Sequence, residues 1–161
     1  MDTKAYTDMK ARNQKEFDDF AEEWCFFAFS EQQLQEGMAK LRPKMAEGEK
    51  FVRFGSGMFC MKSKADELAG MAGRQSEEMR GAMGDKEFAK AAFYYEMANH
   101  EYHINWQGDW DVCSCFYEVE YAEGASGDSY LRSAGALPET RAAYMEARRE
   151  FYRMAEEEGW F

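Results

Sequence analysis

Histidine is close to absent from this sequence. The two that occur, His100 and His103, lie in one stretch, NHEYHINWQGDWDVCSC (residues 99–115), together with two of the four cysteines. Any imidazole chemistry is therefore confined to that stretch. Four cysteines in 161 residues are too few for a disulfide scaffold, and close pairs in a reducing compartment mark either metal ligands or core packing. Long apolar runs are also missing. No window approaches the roughly 18 apolar residues of a membrane span, and MDTKAYTDMKARNQKEFDDF has no apolar signal core, so a cytoplasmic protein is expected. Positive charge is scarce: 20 Lys plus Arg face 31 Asp plus Glu, a net charge of -11. That balance disfavours nucleic-acid phosphates and anionic membranes as direct partners and favours a basic protein surface. Common catalytic signatures are absent as well, with no Gly-x-Ser-x-Gly elbow, Walker motif or His-Glu-x-x-His sequence.

What is present is enough apolar surface for a core. Hydrophobic residues make up 45% and aromatics 16%, and no repeat or linker marks a boundary, so residues 1–161 read as one domain. Tyr6, Met9, Phe17, Phe20, Ala21 and Trp24 give residues 3–24 a helical period. Ser30 and Gln33 have the spacing of a capping box, which predicts a helix over 31–41. Two β-rich runs, 50–54 and 58–62, flank Gly55-Ser56-Gly57 and read as a hairpin. Further helices are predicted over 63–83 and 86–103, the latter capped by Asp85. WQGDW reads as a turn, and VCSCFYEVEY (112–121) alternates as a strand. A short helix over 129–134 and a long one opened by Pro138 complete the chain, while the terminal EEEGWF either frays or docks through Trp160 and Phe161. The expected class is α+β, mainly helical, with a small antiparallel sheet built from the hairpin and the 112–121 strand.

Helical phasing over 86–103 sets His100, His103 and Glu96 on one face. In an extended strand, Cys113 and Cys115 point the same way. Two imidazoles and two thiolates are the borderline-soft set that suits tetrahedral zinc, and four protein ligands would close the site and make the ion structural. The competing reading treats the cysteines as small buried hydrophobes and the histidines as helix-end residues facing the macrodipole. The concentration of every histidine and half the cysteines within 16 residues favours His100, His103, Cys113 and Cys115 as metal ligands. If the helix ends early, Glu96, Glu101 or Asp111 replaces a ligand, and a carboxylate-bearing site would be open in the manner of a zinc-dependent hydrolase.

Three segments, FFAFSEQQLQEGMAKL (26–41), FGSGMFCMKSKADEL (54–68) and FYYEMANHEYHINWQGDWDVCSCF (93–116), carry a resemblance to small proteins encoded by phages and mobile elements of gut bacteria. Some of these are anti-CRISPR proteins acting on the type II RNA-guided DNA nuclease, one of them metal-containing. The resemblance implies a non-enzymatic inhibitor in the bacterial host cytoplasm, with a zinc ion in the His100 to Cys115 region, that binds the basic surface of the type II effector nuclease and blocks target DNA loading. A zinc-dependent hydrolase and a metal-free acidic accessory protein are the alternatives.

Overall fold

Capping chemistry decides where most of the helices begin. A computed structural model describes residues 1–160, which run α1 (Lys4–Trp24), β1 (Cys25–Phe27), α2 (Glu31–Leu41), β2 (Phe51–Phe54), β3 (Met58–Met61), α3 (Ala65–Ala82), α4 (Lys86–Asn99), α5 (Trp106–Ser114), α6 (Gly127–Ser133) and α7 (Pro138–Glu157). Ser30 Oγ accepts the Gln33 N–H at 3.2 Å while Gln33 Oε1 accepts the Phe29 N–H at 2.7 Å, so the predicted capping pair starts α2. Asp85 likewise caps α4 by accepting the Phe88 N–H at 2.8 Å, and Pro138 occupies the first turn of α7. The class is α+β and mainly helical.

The described residues group into two compact units, residues 10–76 and residues 1–9 with 77–160; α1 and α3 each contribute to both. In the first unit, β1, β3 and β2 form an antiparallel sheet in that order, with Cys25 opposite Cys60 and Val52 opposite Cys60 on the other side. Alternation divides the strands cleanly. Cys25, Cys60, Phe54 and Met58 pack with Phe17, Phe20, Ala21, Leu68 and Met71 of α1 and α3. Phe26, Phe51, Phe59 and Met61 pack with Leu34, Met38 and Leu41 of α2. The third strand is therefore β1, not the expected 112–121 segment. CFF is too short to announce itself in the sequence, and pairing with β3 supplies its hydrogen bonds from about thirty positions away.

The second unit is built on α4 against α7. Ala89, Ala92, Ala143 and Ala147 are fully buried and let the helices approach closely, while Phe93, Met97, Val112, Leu131, Tyr144 and Phe151 fill the interior. Burying each of those large side chains contributes about 1.5–3 kcal/mol. Trp160 packs edge-on against Phe151, with ring centroids 6.0 Å apart; the expected docking of Phe161 lies outside the described residues. No described helix is long and apolar enough to cross a membrane.

Two local departures from the sequence reading reshape the histidine and cysteine region. α4 stops at Asn99 rather than running to residue 103. His100 caps it, Glu101 takes the left-handed conformation with φ 48, and the Tyr102 N–H returns to the Met97 carbonyl at 2.9 Å. This is the six-to-one closure of a Schellman motif, here without the usual glycine. The segment read as turn plus strand is helix α5, started by Asn105, whose Oδ1 accepts the Gly108 N–H at 3.0 Å. Residues 112–121 thus contain no strand.

Candidate metal centre

Glu96 and His100 stand one helical turn apart at the end of α4, so their side chains share a face. Glu96 is 2% exposed, while His100 is 42% exposed, which places a carboxylate under an imidazole at the protein surface. Glu96 Oε2 lies 3.3 Å from His100 Nε2. Cys115, the residue that ends α5, brings its Sγ to 3.4 Å from the same Nε2. The three donor atoms all lie within 4.8 Å of one another. The thiol also donates to the Asp111 carbonyl at 3.3 Å.

Both neighbours converge on one ring nitrogen. In a nucleophile triad the thiol and the orienting acid would occupy opposite nitrogens of the imidazole, so this arrangement does not relay a proton from Cys115 to Glu96. It does fit a shared cation. With Zn–S about 2.3 Å, Zn–N and Zn–O about 2.0–2.2 Å and tetrahedral angles, ligand pairs stand about 3.6 Å (S to N) and about 3.4 Å (N to O) apart. The observed 3.4 and 3.3 Å differ from these by a few tenths of an ångström at most. A carboxylate, an imidazole and a thiol supply three donors, of which Glu96 is buried and His100 and Cys115 are exposed.

The carboxylate is held from behind. Tyr6 on α1 donates its hydroxyl to Glu96 Oε1, and Asn99 Nδ2 donates to Oε2 at 3.1 Å. Burial and the Glu96 hydrogen bond push the Tyr6 hydroxyl well above the ordinary tyrosine range, so it remains a donor at neutral pH. Outer partners of this kind fix the orientation of a ligating group. Three helices meet at the cluster: α1 through Tyr6, α4 through Glu96 and His100, and the end of α5 through Cys115.

Two of the four expected ligands are elsewhere. Cys113 is fully buried, its thiol donating to the Gly127 carbonyl at 3.8 Å, and burial pushes its pKa up, which opposes the thiolate a metal needs. Two positions along a helix turn a side chain by about 200°, so Cys113 and Cys115 face opposite ways on α5. His103 follows the end of α4, is exposed, and is not among the grouped donors. Asp111 accepts from Gln107 at 2.9 Å, and Glu101 is the left-handed residue itself; neither joins the group. Glu96, one of the carboxylates left open as a substitute, is grouped with His100 and Cys115.

Sequence reasoning missed a second polar centre beside it. Asp109 of α5, 5% exposed, accepts from the hydroxyls of Tyr102 and Tyr144 and from the Gly127 N–H at 3.2 Å, with Arg148 Nε at 3.5 Å. Arg148 also donates to the Tyr102 hydroxyl at 2.8 Å. The network ties α5 to α6 and α7, which in turn sets where Cys115 emerges. No single-residue signal announces it, although an aspartate in the first turn of a helix between tryptophans hints at burial.

Fold and site together describe a mainly helical α+β protein that groups the donor atoms of Glu96, His100 and Cys115 near its surface. The chain belongs to a family of unknown function (DUF7659), whose model matches residues 5–113. The match takes in Tyr6, Glu96 and His100 and ends before Cys115. No curated protein and no solved structure matches the chain.

Proposed function

We propose that this protein binds one zinc ion through Glu96, His100 and Cys115, with the fourth position open to water or to a group from a partner. The convergence of Glu96 Oε2 and Cys115 Sγ on His100 Nε2 carries this reading. The thioether-free mix of nitrogen, oxygen and sulfur donors favours zinc over the harder magnesium and calcium. In this reading Glu96 is engaged as a ligand, so of the two carboxylates that could act as base in a hydrolytic site, Glu96 and Glu101, it is not free to do so. Elemental analysis of protein purified without chelator tests the proposal. The wild-type chain and the Cys113→Ser and His103→Ala variants are expected to carry one zinc per chain, and His100→Ala, Cys115→Ser and Glu96→Gln to lose it. Zinc that survives Cys115→Ser but not Cys113→Ser would sink the ligand set.

A second reading concerns the partner. The net charge of -11 and the carboxylates of Asp18, Asp19, Glu22 and Glu23 along α1 support docking on a basic protein surface. With the resemblance to anti-CRISPR proteins, they point to the nucleic-acid channel of the type II effector nuclease and to a block of target loading. A plasmid-interference assay in cells carrying such a system decides it: protected plasmid supports the reading, and full interference in the presence of the protein refutes it.

A further inference from the structure

Cys25 and Cys60 face each other across β1 and β3. The Ala28 N–H donates to the Gly57 carbonyl at 2.9 Å, and residues 28 and 57 sum to the same register as 25 and 60. Hydrogen-bonded pairs alternate along an antiparallel ladder, so 28 with 57 and 26 with 59 are hydrogen-bonded, and 25 with 60 is not. The other side of β3 agrees. There the Lys62 N–H donates to the Lys50 carbonyl at 3.0 Å, which makes 60 with 52 a hydrogen-bonded pair and turns the backbone groups of Cys60 toward β2. Non-hydrogen-bonded partners have Cα atoms about 4.5 Å apart and side chains on the same face, inside the roughly 4.4–6.8 Å range that a disulfide spans. Both thiols lie in one apolar cluster with Ala21, Leu68 and Met71.

We infer that Cys25 and Cys60 are a redox pair that closes into a cross-strand disulfide on exposure to a small-molecule disulfide, fixing the edge strand β1 to β3. One thiolate attacks a sulfur of the small disulfide and releases its first thiol. The second protein thiol then attacks the mixed disulfide, forming the Cys25–Cys60 bond and releasing the second small thiol. Two S–H bonds are lost, one S–S bond is exchanged for another, and the two protons leave on the released thiols. Cys25 is 1% and Cys60 0% exposed, and burial raises both thiols, Cys25 up to about 12. Closure is accordingly slow and proceeds through opening of the three-residue edge strand, the least extensively paired part of the sheet. Its consequence falls on the adjoining surface, because β1 leads into the exposed Phe27 and Phe29, 52% and 74% exposed.

The test uses the full chain carrying Cys115→Ser, which removes the exposed thiol. The protein is incubated with oxidised glutathione under native conditions, unfolded, alkylated with N-ethylmaleimide and weighed. The reduced chain should take three adducts and the oxidised chain one, with a mass loss of about 2 Da and a peptide linking residues 25 and 60. Adding Cys60→Ser should leave two alkylated thiols before and after. Peptide mapping of the chain that keeps both cysteines decides between linked and unlinked thiols even if that variant folds poorly. Three adducts after oxidation, or a link from Cys113 to either residue, would overturn the inference.

Discussion

Replacing Asp109 with alanine should be among the most damaging single changes available to this protein, and the sign of a second substitution makes the reasoning checkable. The carboxylate is buried and accepts from Tyr102, Tyr144 and the Gly127 N–H, with Arg148 beside it. Hydrogen bonds to an ionised acceptor contribute about 1.5–3 kcal/mol each, and deleting one side of a buried charged cluster costs about 3–5 kcal/mol because the partners remain desolvated. The Arg148 side chain is 32% exposed, so water takes over much of its charge and its share is small. We therefore expect Asp109→Ala to cost about 4 kcal/mol, a large part of the roughly 5–15 kcal/mol that usually separates folded from unfolded chains. Tyr144→Phe, which leaves Asp109 three other donors, should cost about 1–2 kcal/mol. In the double variant the orphaned Tyr144 hydroxyl is gone, so the double change should be less damaging than Asp109→Ala alone. Urea unfolding followed by tryptophan fluorescence reads the effect through Trp106 and Trp110 on α5. A cost below about 1 kcal/mol for Asp109→Ala, or a double variant less stable than the single, would refute the argument.

Alkaline pH should unfold the protein before its buried tyrosines ionise. Tyr102 is pushed up to about 12 by burial and by its hydrogen bond to Asp109, and burial also raises Tyr6 and Tyr144. Unfolded tyrosines ionise near pH 10, so stability is intact below about pH 10 and falls above it by about 1.4 kcal/mol per pH unit for each protonated tyrosine, that of Tyr102 being lost by about pH 12. Ultraviolet titration alongside circular dichroism checks this; ionisation of all nine tyrosines near pH 10 without loss of structure would contradict it. Two glycine substitutions should have opposite signs. A Cβ on Gly37 would run into the ring of Phe26, itself stacked on Phe59, so Gly37→Ala should destabilise by about 1–3 kcal/mol. Gly70 in α3 has nothing within 4 Å of a Cβ, and Gly70→Ala should stabilise by about 0.5–1 kcal/mol in thermal unfolding.

Elements announced by local chemistry are legible in the sequence, and those defined by distant partners are not. Ser30 with Gln33, Asp85 and Pro138 mark helix starts through groups within four residues, and the structure uses each of them. The hairpin is likewise local, with Gly55 at φ 61 completing the turn. β1 depends on β3, and nothing in CFF distinguishes a strand from a helix extension. The end of α4 is hidden for a different reason: a glutamate, not a glycine, adopts the left-handed position, held by the Tyr102 N–H and by burial of the Tyr102 ring. α5 passes for a strand because VCSCFY alternates over so short a span that a period of two and a period of 3.6 fit it about equally. Asn105 as a cap, four residues before the buried Asp109, is the sequence feature that points to a helix.

Helix rather than strand at α5 decides what the cluster can be. Cys-x-Cys on a strand presents two thiols to one ion; on a helix it presents one thiol and buries the other. With Cys113 turned to Gly127 and His103 beyond the helix end, the four donors expected from the sequence are not brought together. Glu96, placed one turn before His100 by helical spacing alone, is the carboxylate grouped with His100 and Cys115 instead. Under the proposed zinc reading the ion would sit at the ends of α4 and α5, beside the exposed His100 and Cys115, so its chemistry would face whatever approaches there rather than the core behind them.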